Sequence, residues 1–63
     1  MSTGIRIQAR RKQLRLTQAD LATRLGVRTS KVSHWETGYT AVKAEELVAL
    51  ARALKTSCQK LVA

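Results

Sequence analysis

The chain predicts an all-α fold, a compact arrangement of five short helices, and three observations carry that reading. Apolar residues recur with helical spacing, most clearly at Leu47, Leu50, Ala51 and Leu54. Gly26 and Gly38 each stand just past such a pattern, where a left-handed residue ends a helix at least steric cost. Between Gln18 and Thr37, two short helical patterns are joined by the sharp break at Gly26.

Residues 3 to 14 read as the first helix, with Ser2 or Thr3 as its cap. Ile7, Arg11 and Leu14 follow at i, i+4 and i+7, which places Arg11 on the apolar stripe. Arg6, Arg10, Lys12 and Arg15 point elsewhere as a basic flank. Leu16 closes the core before Thr17, the N-cap of a second helix that begins at Gln18. Asp20 takes the third helical position, where Glu or Gln would complete a capping box. Asp makes the box only partial, yet it suits the positive end of the helix dipole. Leu21, Ala22 and Leu25 share one face, and Ala22 is small enough for another helix to cross close over it. After Gly26, Val27 turns back into the core, and Arg28 or Thr29 caps a third helix, with Thr29 the better candidate. There Val32, Trp35 and Glu36 face inward. Two helices tied by a short glycine-containing turn make a helix-turn-helix, whose second helix is the usual DNA reader.

Gly38 ends the third helix, and Tyr39 to Lys43 form a loop. The fourth helix, residues 44 to 54, has Glu45 and Glu46 in its first turn and Arg52 and Lys55 at its end, in accord with the dipole. Its clear 3.6-residue period argues against a β second half. Ser57 caps a last short helix, residues 58 to 62, with Leu61 turned inward. A buried Arg11 or a buried Glu36 alone would be costly, so an Arg11–Glu36 ion pair between the first and third helices explains both.

Sixty-three residues suit one domain, residues 1–63, organised around a helix-turn-helix core at 18–37. Such a domain buries only about 60% of its unfolded surface and is marginally stable. Cys58 is the single cysteine, which rules out an intrachain disulfide and fits a cytoplasmic setting. With one histidine and a distant Cys58, no metal site is expected, and no cofactor or small-molecule ligand is evident. The longest apolar run, Leu47 to Ala51, is too short to span a membrane, and no signal peptide is visible. Nor do Asp20, Glu36, Glu45, Glu46 and His34 form an acid–base set at catalytic spacing, so an enzyme is not expected. Twelve Lys and Arg against four Asp and Glu give a net charge of +8, which favours a polyanion as partner. An anionic membrane fits less well than nucleic acid. The chain has no Phe, and its apolar stripes serve a core.

The outward face of the third helix carries Thr29, Ser30, Ser33, His34 and Thr37. Short hydrogen-bonding side chains suit base edges, and the Thr methyl can touch a thymine methyl. On this face alone, a merely solvated polar helix is an equal reading. The basic flank, Arg10 included, offers phosphate contacts. Thr37, Tyr39, Thr40 and Lys43 add donors beside it, with packing on the core the alternative for Tyr39.

The pattern LTQADLATRLGV…KVSHWETG, followed by LVALARAL and TSCQKL, resembles the DNA-binding domain of lambdoid phage repressors and Cro proteins. This is the lambda-repressor-like, or XRE-type, helix-turn-helix family, and the resemblance runs from about Ile5 to Leu61. It rests on Gln18, Ala22, Gly26, Val32 and the Trp35–Glu36 pair occurring together at the family spacing. The resemblance implies that Gln18 binds a phosphate and helps to orient a residue of the reading helix. It implies base contacts from Thr29, Ser30 and His34, with Ser33 nearby, and a structural ion pair from Arg11 and Glu36. Thr29 and Ser30 are shorter than the long amides common at these positions, so water, Arg28 and Lys31 are expected to contribute, the two cations also as phosphate contacts. The proline usual before the fourth helix is missing, which leaves that loop freer.

Together these readings lead to a sequence-specific regulator of double-stranded DNA, of phage or prophage type. It would bind a pseudo-palindromic operator as a homodimer and block transcription. The competing readings are a DNA-binding antitoxin of a toxin–antitoxin pair, a non-specific architectural or interaction protein, and a fragment of a longer repressor.

Overall fold

Ser2, Thr17 and Ser57 each supply an acceptor where a helix begins with unpaired amide groups. In a computed structural model that describes residues 2–62, five helices follow from these and two further starts: α1 (Thr3–Gln13), α2 (Gln18–Leu25), α3 (Thr29–Thr37), α4 (Ala44–Ala53) and α5 (Cys58–Val62). Ser2 Oγ accepts from the Ile5 amide at 3.2 Å, and Ser57 Oγ from that of Lys60 at 3.2 Å. Thr17 Oγ1 accepts from the Asp20 amide at 3.0 Å, and Asp20 Oδ2 accepts from the Thr17 amide at 2.9 Å. The box expected to be partial is therefore complete: the aspartate carboxylate reaches back far enough to close it. At α3 the cap is Arg28, not Thr29, and no side chain accepts from the helix start. Thr29 is already inside the first turn, so its hydroxyl remains on the exposed surface.

Nine side chains form the core: Ile7, Leu21, Ala22, Val32, Trp35, Leu50, Ala51, Leu54 and Leu61. α3 packs against both α1 and α2, while α4 lies against α2 and α5, and α5 returns to α1. Gly26 sits at φ +67°, so the turn between α2 and α3 uses the one residue that occupies this region without a Cβ penalty. The amide of Val27 then donates to Ala22 O at 3.0 Å and closes the end of α2. Gly4 has a different reason to be glycine. A Cβ there would press into the carbonyl oxygens of Trp35 and Glu36, so the start of α1 can touch the end of α3 only through a bare backbone.

Leu14 and Leu54, the expected last residues of α1 and α4, act as C-caps rather than helical residues. The residues that follow them, Arg15 and Lys55, take positive φ of 57° and 52° where glycine is the usual choice. Arg10 ties α1 to this second corner. Its Nε donates to Leu54 O at 2.8 Å and one terminal nitrogen to Lys55 O at 3.0 Å, a cation set against the negative end of α4.

A candidate nucleic-acid interface

The buried side of α3 fixes its exposed side. Val32, Trp35 and Glu36 are buried, which leaves Thr29, Ser30, Lys31, His34 and Thr37 exposed and Ser33 half-buried along the opposite face. Beneath this face the Arg11 guanidinium meets Glu36 through two parallel bonds, Nε to Oε2 at 2.7 Å and a terminal nitrogen to Oε1 at 3.0 Å. Its other terminal nitrogen donates to Leu16 O at 2.8 Å. Gln18 completes the set, its amide nitrogen 3.1 Å from Glu36 Oε1. One carboxylate thus holds α1, the start of α2 and the end of α3 in a fixed relation. The hydrogen bonds that Arg11 donates to Glu36 raise its pKa, against the opposing effect of burial.

A groove of about 460 Å³ runs along α3, bordered among others by Arg28, Ser30, Lys31, His34, Lys43 and Glu46. Tyr39 is 77% exposed, so packing on the core is not its role. Instead its ring lies 4.7 Å from the His34 ring at a tilt of 49°. The loop that carries it is tied to α3 by the Thr40 amide, which donates to His34 O at 3.3 Å.

Three expected phosphate contacts look different in the structure. Arg10 directs all three guanidinium nitrogens to Leu54 O, Lys55 O and Gln13 Oε1, so it serves as a latch between α1 and the end of α4. Thr37 donates its one hydroxyl proton to Ser33 O at 3.1 Å, which leaves none for a phosphate. Lys31 is held 2.8 Å from Glu46 Oε2 and lies 5.7 Å from the Trp35 ring centre. Arg28, Thr40 and Lys43 are exposed, and Gln18 is half-buried. Sequence reasoning missed two features, Glu46 in the groove and the close approach at Gly4. A glycine in the first turn of an otherwise ordinary helix was the available signal for the second.

Of the four carboxylates, Glu36 and Glu46 pair with cations and Asp20 closes a cap. Most of the positive charge therefore remains unopposed among the described residues. No group of three or more His, Cys, Asp and Glu able to hold a metal occurs among them.

A profile of the helix-turn-helix family matches residues 7–61. The chain belongs to the helix-turn-helix family. It is 44% identical to repressor protein C2 of Salmonella phage P22 over 54 residues, which cover 86% of this chain and 25% of that protein. The chain thus spans about a quarter of the length of this relative. The fold matches the P22 c2 repressor in complex with a synthetic operator, with a TM-score of 0.91 and 40% identity over 98% of this chain and 94% of that one. It matches the solution structure of the DNA-binding domain of the same repressor with a TM-score of 0.92 and 41% identity, over 97% and 80% of the two chains. The restriction-modification controller protein C.AhdI from Aeromonas hydrophila gives a TM-score of 0.89 and 30% identity, over 94% of this chain and 89% of that one. The likeness to phage repressors expected from the sequence therefore holds at the level of family and of fold.

Proposed function

We propose that this chain is a repressor-like transcription regulator that lays α3 in the major groove of double-stranded DNA. The observation that carries the reading is the exposed, acid-free polar face of α3, set on a backbone close to that of a repressor bound to its operator. Thr29, Ser30, Ser33 and His34 contact base edges. Gln18, Arg28, Tyr39, Thr40 and Lys43 hold phosphates and fix the register. Two copies bind a pseudo-palindromic site with half-sites about one helical turn apart, and occupancy blocks transcription. Three of the four carboxylates, Asp20, Glu36 and Glu46, are committed to ion pairs and caps rather than to proton transfer, in keeping with a regulator and not an enzyme. No helix among the described residues is long and apolar enough to cross a membrane.

Selection from a randomised duplex pool at near-physiological salt tests this directly. Enrichment of two inverted half-sites is the expected result. Ser30→Ala and His34→Ala should then change which bases are enriched, whereas Lys43→Ala should weaken every sequence about equally. Enrichment of no sequence, with binding that vanishes as salt rises, would refute base reading by α3.

A further inference from the structure

The groove beside α3 contains one carboxylate, Glu46, among the cations Arg28, Lys31 and Lys43. Its position is fixed from two sides. Oε1 accepts from the Lys43 amide at 2.9 Å and so belongs to the start of α4, while Oε2 lies 2.8 Å from Lys31 Nζ. The two partners differ in shelter: the Glu46 side chain is 18% exposed and that of Lys31 46%. The carboxylate is the anchored member, and the lysine arm is brought to it. The Trp35 ring, 5.7 Å from the ammonium, adds a second attraction. Lys31 hydrogen-bonding and the Lys43 amide hold the Glu46 carboxyl below the usual carboxylate range, so it is ionised at neutral pH.

We propose that Glu46 acts as an internal substitute for a DNA phosphate, withholding Lys31 from the backbone and so holding down sequence-independent binding. The proposal rests on the DNA-binding reading above. A lysine on the reading helix that engages phosphates strengthens binding to any duplex and carries no base information. On a domain of net charge +8, that contribution works against discrimination. A phosphate must compete with Glu46 for the Lys31 ammonium and meets the repulsion of its carboxylate, so the lysine adds little to a loosely seated encounter. Glu46 is in this sense a positioning residue: it touches no base, and it sets where the charge of Lys31 resides.

The test compares the chain with its Glu46→Gln, Glu45→Gln, Lys31→Ala and Lys31→Ala/Glu46→Gln variants on a random-sequence duplex across a salt series. Glu46→Gln keeps an oxygen for the Lys43 amide, and thermal melting checks that α4 retains its cap. The expected gain for Glu46→Gln is about two- to fivefold at low salt, the range of an exposed ion pair. The slope of log affinity against log salt should steepen by about 0.9, one additional phosphate. Glu45→Gln removes the same charge from the same turn without touching Lys31, and should give a smaller gain and no change in slope. In the Lys31→Ala background, Glu46→Gln should add no more than Glu45→Gln does. Equal gains from the two glutamine variants would overturn the proposal, as would a Glu46→Gln gain that survives the loss of Lys31. A parent chain that binds no duplex at any salt would overturn the DNA-binding reading itself.

Discussion

Replacing Glu36 by Ala removes one side chain and strands two others, Arg11 and Gln18. Arg11 and Glu36 are 7% and 6% exposed, and the carboxylate accepts two bonds from Arg11 and one from Gln18. Without it, the guanidinium keeps only its bond to Leu16 O and stays buried as an unpaired charge. Breaking a buried pair in this way costs about 3–5 kcal/mol. A domain of 63 residues has about 3–9 kcal/mol in total, so the variant should stand at the edge of unfolding. At about 4–8 °C per kcal/mol for a domain of this size, the melting temperature should fall by roughly 12–40 °C. Calorimetry or circular dichroism on the two proteins reads this directly. Replacing both partners, as in Arg11→Met/Glu36→Leu, should cost less than Glu36→Ala alone, because no charge is left unpaired. A Glu36→Ala melting temperature within about 3 °C of the parent would refute the reasoning, since it would mean that the stranded guanidinium finds water at no cost.

Gly4→Ala should destabilise by about 1–3 kcal/mol, because the new methyl meets backbone carbonyls of Trp35 and Glu36 that cannot swing aside; an unchanged urea midpoint would show that α1 shifts freely. Arg10→Ala should cost about 0.5–1.5 kcal/mol, chiefly through the lost part-buried bond to Leu54 O, with no loss of α-helical signal before the transition. The carboxyls of Asp20 and Glu46 are both held below their ordinary values, Asp20 chiefly by the bond from the Thr17 amide and Glu46 chiefly by Lys31. Their stabilisation is therefore complete above the unfolded values of about 4 and is lost as pH falls through the lower folded ones. Melting temperature should be level from neutral pH to about 5 and drop below about 4, and an Asp20→Asn/Glu46→Gln variant should show a shallower drop over the same acid range.

Where the sequence was informative, one physical signal sufficed. Helical spacing put Arg11 and Glu36 on inward faces, where two opposite charges are tolerable only together; the structure sets them 2.7 Å apart. The cap at Thr17 and the turn at Gly26 were legible because each rests on the chemistry of one residue and its immediate neighbours. What escaped was set by residues distant in sequence. Arg10 looked like a phosphate ligand because its charge is visible in the sequence, while its partners at Leu54 and Lys55 are backbone carbonyls with no side-chain signature. Lys31 likewise gave no hint of Glu46, fifteen positions away and on another helix. The cap of α3 failed for a smaller reason: Thr29 is the better capping side chain, but the backbone enters the helix one residue earlier.

The bonds from Arg10 to Leu54 and Lys55 span 44 and 45 residues, whereas the contacts joining α2 to α3 close over a few turns of chain. During folding, α1, α2 and α3 can therefore assemble from contacts of shorter sequence separation, while the Arg10 latch closes only when the far end of α4 arrives. Changes to the latch should accordingly appear mainly as faster unfolding, and changes to Leu21 or Val32 as slower folding. The first helix of the chain thus carries both an early tie, to α3, and a late one, to the end of α4.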